Sequence, residues 1–128
     1  MGAPPALRQR VFLAAPTLSV DRQPSGLALY QELDRLDPDS PLPRTHPSVQ
    51  LSTLAAAQVL FEALGRTGRE LSRERLLVEL EGLYAFETGL TPNQTFGPNR
   101  RVGALGAYIA RYQDDGHLLP VGGWVTPR

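Results

Sequence analysis

The spacing of apolar residues along the chain predicts three amphipathic helices. In the first, Leu27, Tyr30 and Leu33 follow one another at three-residue steps, and Ser25 is placed to cap the N-terminus. In the second, a stripe of apolar positions includes Leu51, Leu54, Val59, Phe61 and Leu64. The three patterns predict helices over about residues 25–36, 50–66 and 73–82.

Residues with strong end preferences mark the limits of the second and third helices. Gly65 or Gly68 can take the left-handed conformation that ends a helix. Ser72 lies between Leu71 and Leu76, which is the arrangement of an N-cap inside a hydrophobic staple. We therefore expect a short connection between these two helices.

The remaining apolar residues are arranged as strands. Residues 10–15 form a short apolar run that Pro16 stops, which predicts a strand buried on both faces or a covered crossover, although periodicity alone leaves a helical turn open. Apolar residues alternate over 104–112, and Asp114-Asp-Gly116 suits a hairpin turn. We expect C-terminal strands and a hairpin over about residues 94–125, with Pro120 confining the last strand to an edge or bulge. The predicted fold class is α/β.

Two proline-rich segments interrupt this pattern. Residues 1–9 contain few apolar groups and are predicted to be a disordered arm. Residues 37–47 contain four prolines and are predicted to be an extended loop. The expected organisation is thus an arm followed by one folded portion over 10–128.

The composition of the chain argues against several classes of function. The formal net charge of the chain is +0, so no long-range field favours nucleic acid or an anionic membrane. There is no cysteine, which excludes disulfides and thiolate metal sites. The N-terminus lacks the apolar core of about 7 to 15 residues that a secretory signal needs. No apolar run approaches the roughly 20 residues that span a bilayer, so no membrane insertion is expected.

No residue pattern predicts catalysis or a cofactor. His46 and His117 are far apart in the sequence and have no neighbouring ligand, so no metal site is expected. No serine lies in a nucleophile elbow, and no carboxylates form a spaced catalytic pair. Arg100 and Arg101, within the segment 97–106, could attract an anion, but the glycine spacing favours an ordinary turn with exposed or ion-paired arginines. The prediction is a protein that is not an enzyme.

Four segments in order resemble one family. They are Leu54–Gly68, Leu71–Glu81, Phe86–Thr91 and Phe96–Gly103. Together they resemble the C-terminal third of type I periplasmic substrate-binding proteins of ABC transporters, in the class that binds branched-chain amino acids. The resemblance implies a partial periplasmic-binding-protein-like fold, namely the C-terminal part of one lobe together with hinge strands. The other lobe, which carries most of the family's ligand contacts, has no counterpart in these residues.

The resemblance also implies site residues. The loop into the alanine-rich helix lines the family's ligand cleft, and its counterparts here are Ser48, Val49 and Gln50. The hinge crossings would include Ala15 and Pro16, and then Val102 and Gly103. From the residues themselves the favoured alternative is that Ser48 or Ser52 simply caps the helix.

The implied function is binding of a small polar ligand such as an amino acid, by hinge closure, and its delivery to an ABC permease. The implied location is the periplasm, whereas the absence of a signal peptide in residues 1–9 leaves a cytoplasmic location open. Two other functions remain open. One is a protein–protein interaction module that docks through apolar helix faces or an uncovered sheet. The other is a ligand-sensing receptor domain of the same fold.

Overall fold

A computed structural model describes Pro4 and residues 10–36, 47–115 and 117–127. Within these residues the prediction of mixed helix and sheet is confirmed. The predicted arm over 1–9, apart from Pro4, lies outside the described residues, and so does the predicted loop over 37–47 except for Pro47, which is the first residue of a helix and not part of a loop. The helices are α1 (Pro24–Leu36), α2 (Pro47–Thr67) and α3 (Arg73–Glu81), a 3-10 turn covers Ser19–Asp21, and the strands are β1 (Phe12–Ala15), β2 (Ala107–Tyr112) and β3 (Leu118–Val125).

The chain folds as two compact units. The sheet unit combines Met1–Ser19 with Leu105–Arg128, and the helical unit is Val20–Ala104. The helical unit is thus inserted between the two segments that build the sheet. The chain passes between the units twice, once after Ser19 and once after Ala104.

Helix α1 begins one residue before its predicted start. Pro24 occupies its first position, where a missing N–H costs nothing because that group has no partner within the helix. The carbonyl of Gln23 accepts the first intrahelical bond, from the amide of Leu27 at 3.1 Å. Ser25 therefore lies inside the first turn, and its prediction as the N-cap is wrong.

Helix α2 extends past its predicted limits at both ends. It begins at Pro47, which again suits a first position, so Ser48 and Ser52 both lie inside the helix and neither is its N-cap. Gly68 follows the helix directly with a φ of 60°, as predicted for a left-handed cap. Gly65, the alternative end, is part of the helix.

The predicted N-cap of α3 is confirmed. The side chain of Ser72 accepts a hydrogen bond from the amide of Arg75 at 3.1 Å, and the backbone of Ser72 is extended. This bond satisfies one of the amides that a helix leaves without an internal acceptor.

We predict that Ser72→Ala lowers the free energy of unfolding by about 0.5–2 kcal/mol, because an amide of the first turn loses its acceptor. Ser52→Ala is the matched control: Ser52 lies exposed inside α2, where alanine is at least as good a helix former. Urea unfolding followed by circular dichroism compares the two variants. Equal stability of both would show that the cap does not contribute.

The core of the helical unit lies where α1, α2 and a following loop meet. Leu51 and Ala55 of α2 are buried together with Leu90 of the loop. Leu27 and Tyr30 of α1 pack against this cluster. The small side chain of Ala55 allows close approach of its neighbours.

The sheet unit contains an antiparallel sheet in the order β1-β2-β3. Its hairpin confirms the turn predicted at residues 114–116, of which Gly116 lies outside the described part. Pro120 lies on edge strand β3, next to a register irregularity opposite Tyr108 and Ala110, as predicted. The core of this unit is the cluster of Ala15, Leu18 and Ala110, against which Tyr108 and Leu118 pack.

Two sequence-based expectations about strands are wrong. β1 is not buried on both faces: it is an edge strand with β2 as its neighbour, and Phe12 and Leu13 are 55% and 42% exposed. In the region predicted as strands from about residue 94, regular strand begins only at Ala107. Before it the chain forms isolated bridges, Phe86 with Gln94 and Gly97 with Arg100, because tight turns separate these residues.

None of the described helices is both long enough and apolar enough to cross a bilayer.

Candidate functional site

The helical unit carries an open groove of about 550 Å³. Three segments form its walls: the first turns of α1, the middle of α2, and the loop that follows α3. The lining residues are Ser25, Gly26, Leu29, Gln58, Phe61, Glu62, Phe86, Glu87 and Thr88. A volume of this size suits a small ligand.

The first wall depends on close backbone contact between α1 and the loop. The amide of Gln23 donates to the carbonyl of Gly89 at 2.8 Å, which ties the start of α1 to the loop. A Cβ at Gly26 would lie 2.5 Å from that same carbonyl oxygen. Position 26 therefore accepts only glycine without movement of the backbone.

The loop wall is held by its own hydrogen bonds. Phe86 and Gln94 exchange two backbone bonds, of 2.8 and 2.9 Å. The hydroxyl oxygen of Thr88, a buried residue, accepts from the amides of Leu90 and Thr91, each at 3.3 Å. These bonds give the loop a defined shape, and they leave the Glu87 side chain exposed.

The α2 wall consists of Gln58, Phe61 and Glu62. These residues are spaced three and four apart, so they share one face of the helix. Phe61 is 72% exposed although it is apolar. Glu62 forms an ion pair with Arg66, with 2.8 Å between Oε1 and Nε.

The groove presents both polar and apolar groups that can bind a ligand. Its polar groups are carboxylates, an amide and hydroxyls, and its apolar groups include two phenylalanine rings. Among the described residues, no group of three or more His, Cys, Asp or Glu side chains could hold a metal ion. His46 lies outside the described residues, and His117 lies in the hairpin, where its amide donates to Asp115 at 2.9 Å.

The predicted ligand residues occupy the first turn of α2. Ser48, Val49 and Gln50 are together there, in a helix and not in the loop that the resemblance implied. Ser48 and Val49 are exposed, whereas Gln50 accepts a hydrogen bond from the Tyr30 hydroxyl at 2.5 Å. Gln58 of the groove lies eight residues further on, about 12 Å along the helix axis. The groove and the predicted ligand position are therefore separate places on α2.

The predicted hinge residues lie in two different settings. Ala15 is the last residue of β1 and pairs with Tyr108, and Pro16 follows it immediately. Val102 and Gly103 belong to the helical unit. The carbonyl of Gly103 accepts from the amide of Thr95 and from Nη2 of Arg100, both at 2.8 Å. Each predicted pair precedes one of the two passages between the units.

The turn interpretation of Arg100 and Arg101 is confirmed. Gly97 and Arg100 exchange backbone hydrogen bonds of 3.2 and 3.0 Å. Arg101 pairs with Glu81 at 2.7 Å, and Arg100 donates to nearby carbonyls. Both guanidinium groups therefore already interact with groups of the protein itself, Arg100 through hydrogen bonds and Arg101 through an ion pair.

Sequence reasoning missed the groove because it placed Phe61 in the apolar stripe of α2. The buried positions of this helix are spaced four residues apart, namely Leu51, Ala55, Val59, Ala63 and Thr67. Phe61 falls between two of them, about half a turn away from the buried face. The offset of Phe61 becomes visible only once the buried positions of α2 are known, and the distant loop that completes the groove has no signal in the local pattern.

Comparison of the chain with family models, with curated proteins and with solved structures finds no match.

Proposed function

We propose that this chain is a portion of the solute-binding component of an ABC-type importer for branched-chain amino acids or a related small polar compound. The observation that supports this most is the division into two compact units joined by two passages. Pro16 and Gly103, each in a predicted hinge pair, precede those passages by a few residues. The family itself is proposed from the resemblance of the four ordered segments of the sequence.

In the proposed mechanism, changes of backbone angles at a few residues near the passages let the helical unit close over a ligand together with the second lobe that the resemblance implies. The helical unit would act as one rigid body, because its core and its loop hydrogen bonds hold its segments together. The first turn of α2 would face the solute. Its amides, together with the Ser48 hydroxyl, are donors suited to a carboxylate. The loaded protein would then dock on an ABC permease.

Calorimetric titration of the natural polypeptide that carries this sequence, with a panel of amino acids, tests the proposal. We expect stoichiometric binding of one chemical class with no change in the ligand, and weaker binding after Ser48→Ala. Ser52→Ala, one turn further along α2, is the control. Failure of every amino acid to bind, or conversion of one of them to a product, would reject the proposal.

The 128-residue chain alone gives a complementary expectation. The family resemblance assigns most ligand contacts to a second lobe, so the chain alone should show no thermal stabilisation by amino acids. A large shift in its melting temperature with leucine would mean that the helical unit binds the solute without a second lobe.

One observation favours the interaction module as a second candidate. On one face of the sheet, strand alternation and register place a set of exposed apolar side chains, namely Phe12, Ile109, Leu119, Val121 and Val125. Arg111 shares that face, and its Nε is buried without a partner among the described residues. A partner with an apolar surface would complement this face.

Light scattering over a range of concentrations tests the second candidate. If the sheet face docks onto another copy of this chain, we expect mass to rise with concentration and Leu119→Asp to suppress the rise. Leu119→Met should preserve it, because the apolar character of the face is retained. A chain that stays monomeric and unfolds cooperatively at every concentration would exclude docking between copies and count against this candidate.

A further inference from the structure

We infer that the groove of the helical unit binds a small organic cation, meaning an ammonium group joined to an apolar body. The inference does not depend on the importer proposal, since the groove is about 12 Å along α2 from the first turn that the proposal uses. It rests on the charge of the lining residues, on the position of two aromatic rings and on the size of the groove.

The charge of the lining favours a cation. Glu62 and Glu87 line the groove, and no lysine, arginine or histidine among the described residues does. Arg66 pairs with Glu62 from the following turn of α2 and satisfies part of its charge. Glu87 is exposed and forms no ion pair with any described residue. Its carboxylate is therefore the group that a ligand cation would approach.

The aromatic residues favour a cation with an apolar body. Phe61 and Phe86 come from different walls of the groove, and Leu29 adds an aliphatic surface. A ring face attracts a cation within about 6 Å of its centre, and an apolar ligand body gains from covering the ring. Phe61 is 72% exposed and outside the buried repeat of α2, so packing of the core does not explain its position.

The alternatives in ligand charge fit less well. An anion would be repelled by both carboxylates, and a neutral compound would gain no Coulomb attraction from Glu87. The volume of about 550 Å³ is within the range of sites for small molecules. The carboxylate and the two rings together therefore favour a ligand that has both a positive charge and an apolar surface.

Nuclear magnetic resonance titration of the 128-residue chain with three related probes tests the inference. Phenethylammonium is the cation, 2-phenylethanol its neutral counterpart and phenylacetate its anionic counterpart. We expect the cation to shift the amide signals of Phe61, Glu62 and Phe86–Thr88, with much smaller shifts from the alcohol and none from the anion. Equal shifts from cation and alcohol, or shifts confined to other residues, would overturn the inference.

Variants identify the groups that bind. Glu87→Gln and Phe61→Leu should each weaken binding of phenethylammonium about two- to fivefold, as expected for an exposed charge or ring contact. Glu70→Gln removes an exposed carboxylate outside the groove and should leave the affinity unchanged. Since these side chains are exposed, all three variants should keep the melting temperature of the parent. Unchanged affinity of Glu87→Gln would overturn the inference, whatever the outcome with amino acids.

Discussion

Replacing Leu90 with alanine is expected to lower the free energy of unfolding of the helical unit by about 2–5 kcal/mol. Leu90 is 1% exposed and lies in one cluster with Leu51 and Ala55 of α2. Removing its isobutyl group takes away buried apolar contact and leaves a cavity, since the neighbouring helix backbones cannot fully close the space. Urea unfolding monitored by helical circular dichroism measures the loss.

Leu36→Ala is the control for this prediction. Leu36 is the last residue of α1 and is 69% exposed, so its truncation should change stability by no more than about 0.5 kcal/mol. If both leucine variants unfold at the same urea concentration, the cluster around Leu90 is not the core of the unit. The control also separates loss of buried contact from any general effect of alanine.

Replacing Gly26 with alanine is expected to destabilise the helical unit by about 1–3 kcal/mol, although alanine is the better helix former. The new Cβ would lie 2.5 Å from the carbonyl oxygen of Gly89 and 2.9 Å from Cδ2 of Leu90. The first of these atoms belongs to the backbone, so α1 and the loop must move apart. Thermal or urea unfolding measures the effect.

The matched variant is Gly65→Ala, which should act in the opposite direction. Gly65 lies in α2, and a Cβ there would meet nothing within 4 Å. The substitution should therefore stabilise the protein by up to about 1 kcal/mol, through helix propensity alone. The contact interpretation of Gly26 would be wrong if both variants were stabilised.

The Gly26→Ala substitution should also affect ligand binding in the groove. Gly26 and Gly89 set the distance between α1 and the loop that carries Glu87. Moving these segments apart should weaken binding of an organic cation even where the variant remains folded. Shifts of the amide signals of residues 86–88 in the unliganded Gly26→Ala protein would report the movement directly.

Local signals predicted the elements well where the deciding contacts are local. The Ser72 cap was correct because its oxygen binds an amide three residues away in the same chain segment. Gly68 was correct as a helix end for a similar reason, since its positive φ follows from the residue type. The first positions of α1 and α2 were wrong because Pro24 and Pro47 begin those helices, which the serine signals obscured.

Burial was predicted less well, because it depends on residues distant in the sequence. β1 carries the composition of a central strand, yet it has β2 as its neighbour and lies at an edge. Phe61 matches an apolar stripe in one dimension, but the buried face of α2 follows a different set of positions. Neither result can be obtained from the residues near Phe12 or Phe61 alone.

By itself the sequence determined the three α-helices of the described residues, the hairpin and its edge-strand proline, since each depends on backbone preferences over a few residues. It also carried the family resemblance behind the importer proposal. Only the tertiary structure decided that the first and last segments share one sheet, and that Glu87 and Phe61 line one groove. These arrangements depend on contacts between segments far apart in the chain, whose free energies no local pattern contains.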